Sequence, residues 1–130
     1  MASAALIRTN GLEDISSIRK QLLEYFDTND IYVLIEDFAN DSYDTYRGVD
    51  NSLKVGKKFL EENNLQYFKR AGWQCGDYML YAARMELEKK YDYYWIVEPD
   101  LRLNINVPSF FKKLEGKTED LIGIYFGYRK

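Results

Sequence analysis

The apolar positions of this chain change their period several times along its length. "AALIRTN" (Ala4–Asn10) is a short apolar run that stops at a polar turn, and it predicts a first strand. In "NGLEDISSIRKQLLEYFD", Ile15, Ile18, Leu22 and Phe26 recur at helical spacing and form one apolar stripe. Asn10 with Glu13 three residues on resembles a capping box, so a helix is expected that ends near Asp27. "IYVLIED" (Ile31–Asp37) is rich in β-branched residues and almost continuously apolar, which suits a strand buried on both faces of a parallel sheet. Phe38 to Asn51, with Asp41, Asp44 and Asp50, reads as a polar loop. "SLKVGKKFLEENN" (Ser52–Asn64) reads as a helix weakened by Gly56, and "LQYF" (Leu65–Phe68) as a short strand.

The second half repeats the alternation. Asp77 is a candidate N-cap, and the helix behind it carries an inner stripe of Leu80, Ala83 and Leu87, with Glu86 and Lys90 spaced to pair. The strand "YYWIV" (Tyr93–Val97) then runs into Glu98-Pro99-Asp100. A loop leads to a short helix from Ser109 to Leu114 behind Pro108, and "DLIGIYFGYR" (Asp120–Arg129) predicts a last strand. Strands alternating with helices predict an α/β fold: three layers, a mostly parallel sheet with helices on both faces, Rossmann-like, in a single domain over residues 1–130. Such sheets bind ligands at the carboxyl ends of their strands. Asp37, Glu98 and Asp100 all fall there.

Composition narrows the function classes. Apolar residues make up 46% and charged residues 30% of the 130, so the chain can bury a core. The net charge of −3, without a basic block, argues against a binder of nucleic-acid backbones. No apolar run approaches the roughly 18 residues of a transmembrane segment, and "MASAALIRTN" is too short for a secretory signal. The single Cys75 cannot form an internal disulfide, which points to a reducing, cytoplasmic setting. The chain has no histidine, which removes the commonest general base, imidazole-bound zinc and histidine-activated nucleophiles. A metal here would be a hard divalent cation on carboxylates: Mg or Mn, with Ca as the alternative.

Glu98 and Asp100 are the sharpest candidates. In an extended segment, residues two apart point to the same side, and Pro99 stiffens the pair. Two carboxylates aimed at one point repel unless a cation lies between them or one is protonated. A cation that also touches a diphosphate resolves the repulsion and stabilises charge on a leaving group. Ordinary readings stand beside this one. Asp77 also reads as a plain helix cap, Glu36-Asp37 as strand-end solvation, and the twelve tyrosines as core and rim packing.

"ALIRTN", "IYVLIEDFANDSYD" and "AGWQCGDYMLYAARMELEKKYDYYWIVEPD" together resemble the landmarks of GT-A-type nucleotide-sugar glycosyltransferases. Glu98-Pro99-Asp100 stands where that fold carries its D-x-D metal motif, as an E-x-D variant. The resemblance implies that Arg8, Thr9 and Asn10 line the nucleotide and that Asp37 contacts the base or ribose. It further implies that Asp77 faces the nucleotide or its diphosphate and that Glu98 and Asp100 bind Mn or Mg. The implied partner is a UDP-sugar. The family's fold normally continues into an acceptor-binding half, so the chain is expected to be a donor-binding half or a short relative with altered function.

Three function classes stay open at this point. The first is metal-dependent binding of a nucleotide-sugar donor, with glycosyl transfer as its purpose. The second is a small α/β signalling or interaction domain without catalysis; a phospho-acceptor receiver would carry its acid pair after strand one, where this chain has Arg8-Thr9-Asn10. The third is a scaffold that forms a homo-oligomer through an aromatic surface.

Overall fold

A computed structural model describes residues 2–10, 13–38, 45–47, 51–67 and 77–117. In chain order the elements are β1 (Ser3–Thr9), α1 (Ser16–Leu22), a 3₁₀ turn (Thr28–Asp30), β2 (Ile31–Asp37), β3 (Thr45–Arg47), β4 (Ser52–Gly56), α2 (Lys57–Glu62), α3 (Asp77–Glu86), β5 (Tyr93–Val97) and α4 (Val107–Leu114). The strands form one sheet in the order β3-β4-β2-β1-β5. β4, β2, β1 and β5 are parallel, with Ile7 opposite both Val33 and Val97; β3 runs antiparallel along β4. The fold is therefore a three-layer, mostly parallel α/β sandwich of Rossmann-like order.

β1 lies in the middle of the parallel set, and its alternation feeds both sides of the sheet. Ala4 and Leu6 join Leu34, Leu53, Val55, Phe59, Leu60, Met79, Ala82 and Ala83 beneath α2 and α3. Ala5 and Ile7 join Ile18, Leu22, Ile31, Val97, Val107 and Phe111 beneath α1 and α4. Leu6 and Ile7 have no exposed surface, so each contributes on the order of 1.5–3 kcal/mol of burial. On the α4 side Phe111 is the hub: its ring lies 4.9 Å from Phe26, 5.2 Å from Tyr25 and 5.4 Å from Trp95. Tyr25 also donates to Glu115; burial, with that carboxylate second, pushes its phenol up to about 12.

A polar clamp ties the opposite, amino ends of β2 and β5 together. The Tyr91 hydroxyl donates to Asp30 Oδ1 at 2.7 Å and lies 2.9 Å from the Tyr32 hydroxyl; Lys89 Nζ reaches the same Asp30 oxygen at 2.9 Å. Burial raises the Asp30 carboxyl, but the bonds from Tyr91 and Lys89 outweigh it and hold the group below its ordinary value. Burial first, then the Tyr32 and Asp30 contacts, raise the Tyr91 phenol.

Several elements differ from those the sequence predicts. Residues 52–56 form a strand, since Leu53 and Val55 are buried at period two, and the helix begins only after Gly56. α2 then stops early: Asn64 takes φ 57° and the Leu65 amide returns to the Leu60 carbonyl at 2.8 Å, a left-handed helix stop. Leu65–Tyr67 consequently continue without strand structure. The short strand β3 lies inside the stretch that reads as a loop. α1 starts at Ser16 rather than near Asn10, and its first free amide is met by Asp14, whose carboxyl is lowered by the Ser16 amide. Of the expected stripe, Ala83 and Leu87 are buried and Leu80 packs partly buried against the same core, while Met79 and Ala82 widen the buried seam of α3. The Lys90 ammonium bonds the Arg84 and Leu87 carbonyls at 2.5 and 2.8 Å, closing the end of α3 as a cap rather than as the expected partner of Glu86. α4 begins at Val107, where Asn106 accepts from the Ser109 amide at 2.9 Å. The expected final strand, Asp120–Arg129, lies outside the described residues.

Candidate functional site at the carboxyl ends of the strands

From β1 the chain passes through α1 to β2 and β4 on one side, and then crosses under α2 and α3 to β5 on the other. The winding reverses between β1 and β5, and in open α/β sheets ligands bind outside the strand ends at that reversal. Ile7 is paired with Val97, so the next residues in parallel register are Arg8 and Glu98. By alternation both stand on the α2–α3 side of the sheet, in line with Leu6. They meet there: Arg8 Nη2 lies 3.0 Å from Glu98 Oε1. The pair straddles the reversal. The Arg8 side chain is 16% exposed and that of Glu98 54%, so the guanidinium is tucked against the sheet and the carboxylate faces outward.

The segment beyond Glu98 is not extended. The Leu101 amide donates to the Glu98 carbonyl at 3.2 Å, which makes Glu98–Leu101 a turn with Pro99 and Asp100 in its two central places. Proline suits the second place of such a turn because its φ is preset. Pro99 is buried and Asp100 exposed. The premise that Glu98 and Asp100 share one side of an extended strand is therefore corrected: the strand ends at Val97 and Asp100 lies within a turn.

Asp77 opens α3 as its first helical residue, in place of the N-cap role, and is exposed. α3 ends next to the loop into the amino end of β5, so its first turn lies at the carboxyl rim, on the same side of the sheet as Arg8 and Glu98. An acid in the first turn is favoured by the helix dipole.

Thr9, Asn10 and Asp37 are organised differently. Thr9 is buried, and its hydroxyl donates to Glu13 Oε2 at 3.1 Å, while the Asn10 amide donates to Glu13 Oε1 at 3.3 Å. Glu13 thereby ties back to the end of β1, an outcome that half fulfils the capping-box spacing. Asp37 ends β2 and by alternation stands on the α1 side, away from Arg8 and Glu98. Its Oδ2 lies 3.7 Å from Lys54 Nζ, and among the described residues this enclosed oxygen accepts no hydrogen bond. Buried carboxylate oxygens are nearly always hydrogen-bonded, and here the Lys54 ammonium is the described donor that faces this one.

Two features of this rim escape reasoning from sequence. The local pattern puts Lys54 in a helix, and only the strand register of β2 and β4 brings it beside Asp37. The Arg8–Glu98 pair is separated by 90 positions, and its only signal is the pairing of β1 with β5. A hollow lined by Tyr25, Tyr93, Trp95 and Phe111 lies toward the amino ends of β1 and β5, away from these residues.

The carboxylates fit a hard divalent cation in part. Glu98 and Asp100 are both accessible and close in sequence, which matches a site of two carboxylates completed by substrate phosphates. Among the described residues no group of three or more Cys, Asp or Glu side chains forms a cage of its own. No described helix is long and apolar enough to cross a membrane. The chain matches no protein-family model, and no curated protein or solved structure is significantly similar to it.

Proposed function

We propose that the protein binds a nucleotide-sugar donor, a UDP-sugar first among them, with Mg or Mn, as the donor half of a GT-A-type glycosyl transfer. The observation that carries the proposal is the position of Arg8 and Glu98-Pro99-Asp100 on either side of the winding reversal. In this reading Arg8 offers its planar donors to the diphosphate. Asp37 Oδ2, enclosed and 3.7 Å from Lys54 Nζ, accepts from a ribose hydroxyl or a base N–H. Asp77 faces the donor from the start of α3, while Thr9 and Asn10, tied to Glu13, line the nucleotide at the end of β1. Glu98 and Asp100 hold the cation, which when bound stabilises negative charge on the departing diphosphate. The lone Cys75 supports a cytoplasmic setting for this activity.

A non-catalytic interaction domain is the second reading, and one observation favours it: the charge of Glu98 is already met by Arg8. Titration calorimetry of the full chain separates the two. UDP with MnCl₂ should give saturable heat that Glu98→Ala plus Asp100→Ala abolishes. Absence of heat with UDP, GDP and their sugar conjugates would leave the interaction domain as the better reading.

A further inference from the structure

We propose that residues 101–105, between β5 and α4, are a pairing edge for a second copy of this chain. The two segments run antiparallel about Leu103, joined by the backbone groups of Arg102 and Asn104. The inference stands apart from the donor site and does not depend on it.

The pattern of the segment is the first observation. Leu101-Arg102-Leu103-Asn104-Ile105 alternates apolar and polar at period two, the mark of a half-buried strand, yet among the described residues no strand pairs with it. Past the turn that closes at Leu101, one side chain fastens it to the body by hydrogen bonds. Gln21, on α1, donates to the Leu103 carbonyl at 2.8 Å and accepts from the Leu103 amide at 3.0 Å. The Leu103 side chain packs partly buried against the core beneath α1 and α4. A side-chain amide that meets both backbone groups of one residue stands in for a neighbouring strand on that edge. In an extended chain, alternate residues turn their N–H and C=O to opposite edges, so those of Arg102 and Asn104 lie on the edge away from α1. Among the described residues, the backbone groups of Arg102 and Asn104 make no hydrogen bond. On either side of the anchored Leu103, Leu101 is 38% and Ile105 51% exposed.

The segment complements itself, which selects a second copy as its occupant. With Leu103 opposite its own counterpart, Leu101 lies opposite Ile105 of the other copy and Arg102 opposite Asn104. One face of the ribbon is then wholly apolar, and no like charges lie directly opposite one another. A slip of one residue would set each apolar side chain opposite a polar one, so the register is specified. In this register Arg102 and Asn104 form the hydrogen-bonded pairs and Leu103 the closer, non-bonded pair. A ribbon this short buries less than the roughly 1,200 Å² of a standard interface, so the dimer is weak and exchanges rapidly.

Sedimentation of the full chain between about 20 μM and about 1 mM should show reversible association that stops at the dimer. Two doubly substituted chains test the register: Leu101→Lys with Ile105→Lys, and Leu101→Glu with Ile105→Glu. Both positions are exposed, so neither chain disturbs the core. Each alone sets like charges opposite and should dimerise about 5-fold or more weakly, while an equal mixture of the two should regain the dimer. Asn104→Pro deletes an outward N–H without changing charge and should also abolish association. An unaltered protein that stays monomeric at about 1 mM would show that the edge serves no second copy, and the proposal would be wrong. It would be equally wrong if the dimer persisted in either like-charged chain or in Asn104→Pro, or if mixing the two charged chains left both monomeric.

Discussion

Replacing Tyr91 with phenylalanine removes one hydroxyl and leaves the ring. That ring is buried and meets Tyr32 and Tyr94 edge-on at 6.1 and 5.7 Å, contacts that phenylalanine keeps. What is lost is the 2.7 Å bond to Asp30 and the 2.9 Å contact with the Tyr32 hydroxyl. A hydrogen bond to a charged group contributes about 1.5–3 kcal/mol. Lys89 still holds the carboxylate, so Asp30 is not left bare, and we expect a loss of about 2 kcal/mol at neutral pH. Urea unfolding followed by fluorescence should show a lower midpoint with an unchanged slope. The pH dependence follows from Asp30, whose carboxyl in the folded protein lies below its ordinary value of 3.8. A depressed carboxyl contributes stability that is fully present above the unfolded value and is lost as pH falls through the folded one. The stability difference between the unaltered protein and Tyr91→Phe should therefore be constant from about pH 7 to about pH 5 and shrink below pH 3.8 toward the roughly 1 kcal/mol of a neutral bond. A penalty under about 0.5 kcal/mol at neutral pH, or one that grows rather than shrinks as acid is added below pH 3.8, would refute the clamp.

Other substitutions test the packing. Phe111→Ala opens the aromatic cluster beneath α4 and should lower stability by about 3–5 kcal/mol in the same urea assay, with near-ultraviolet dichroism reporting a loosened Trp95. Asn106→Ala removes the cap on the Ser109 amide and should cost about 1 kcal/mol, while Asn106→Asp should retain most of it.

Much of the architecture is legible in the sequence because buried parallel strands leave uninterrupted apolar runs. Ala4–Asn10 and Ile31–Asp37 are such runs, and both appear within a residue or so of their expected bounds. β4 is not legible in the same way. Its five residues alternate, and the helix formers that follow Gly56 extend a helical pattern back over them. β3 is shorter still, and it exists through its ladder with β4 rather than through any pattern of its own. β5 has the expected bounds, and although all five of its residues are apolar or aromatic only Val97 is buried and Ile96 is 38% exposed, since among the described residues β5 ends the sheet. At the rim, the residue types are visible in the sequence but their grouping is not. Strand register sets Arg8 on Glu98 and Lys54 beside Asp37, and pairing between distant strands leaves no local signal. Alternation then divides the expected set between two sides of the sheet, with Arg8, Glu98 and Asp77 on one and Thr9 and Asp37 on the other.

The most direct test of the rim as a donor site is to map binding residue by residue. Backbone amide shifts of the ¹⁵N-labelled full chain, followed during titration with UDP in Mg²⁺, should move for Arg8, Thr9, Asp77, Glu98 and Asp100. Exchanging Mg²⁺ for trace Mn²⁺ should then broaden Glu98 and Asp100 first. Shifts that instead gather around Asp30 and Tyr91, at the amino ends of the strands, or no shifts at millimolar UDP, would contradict a nucleotide site at the carboxyl rim.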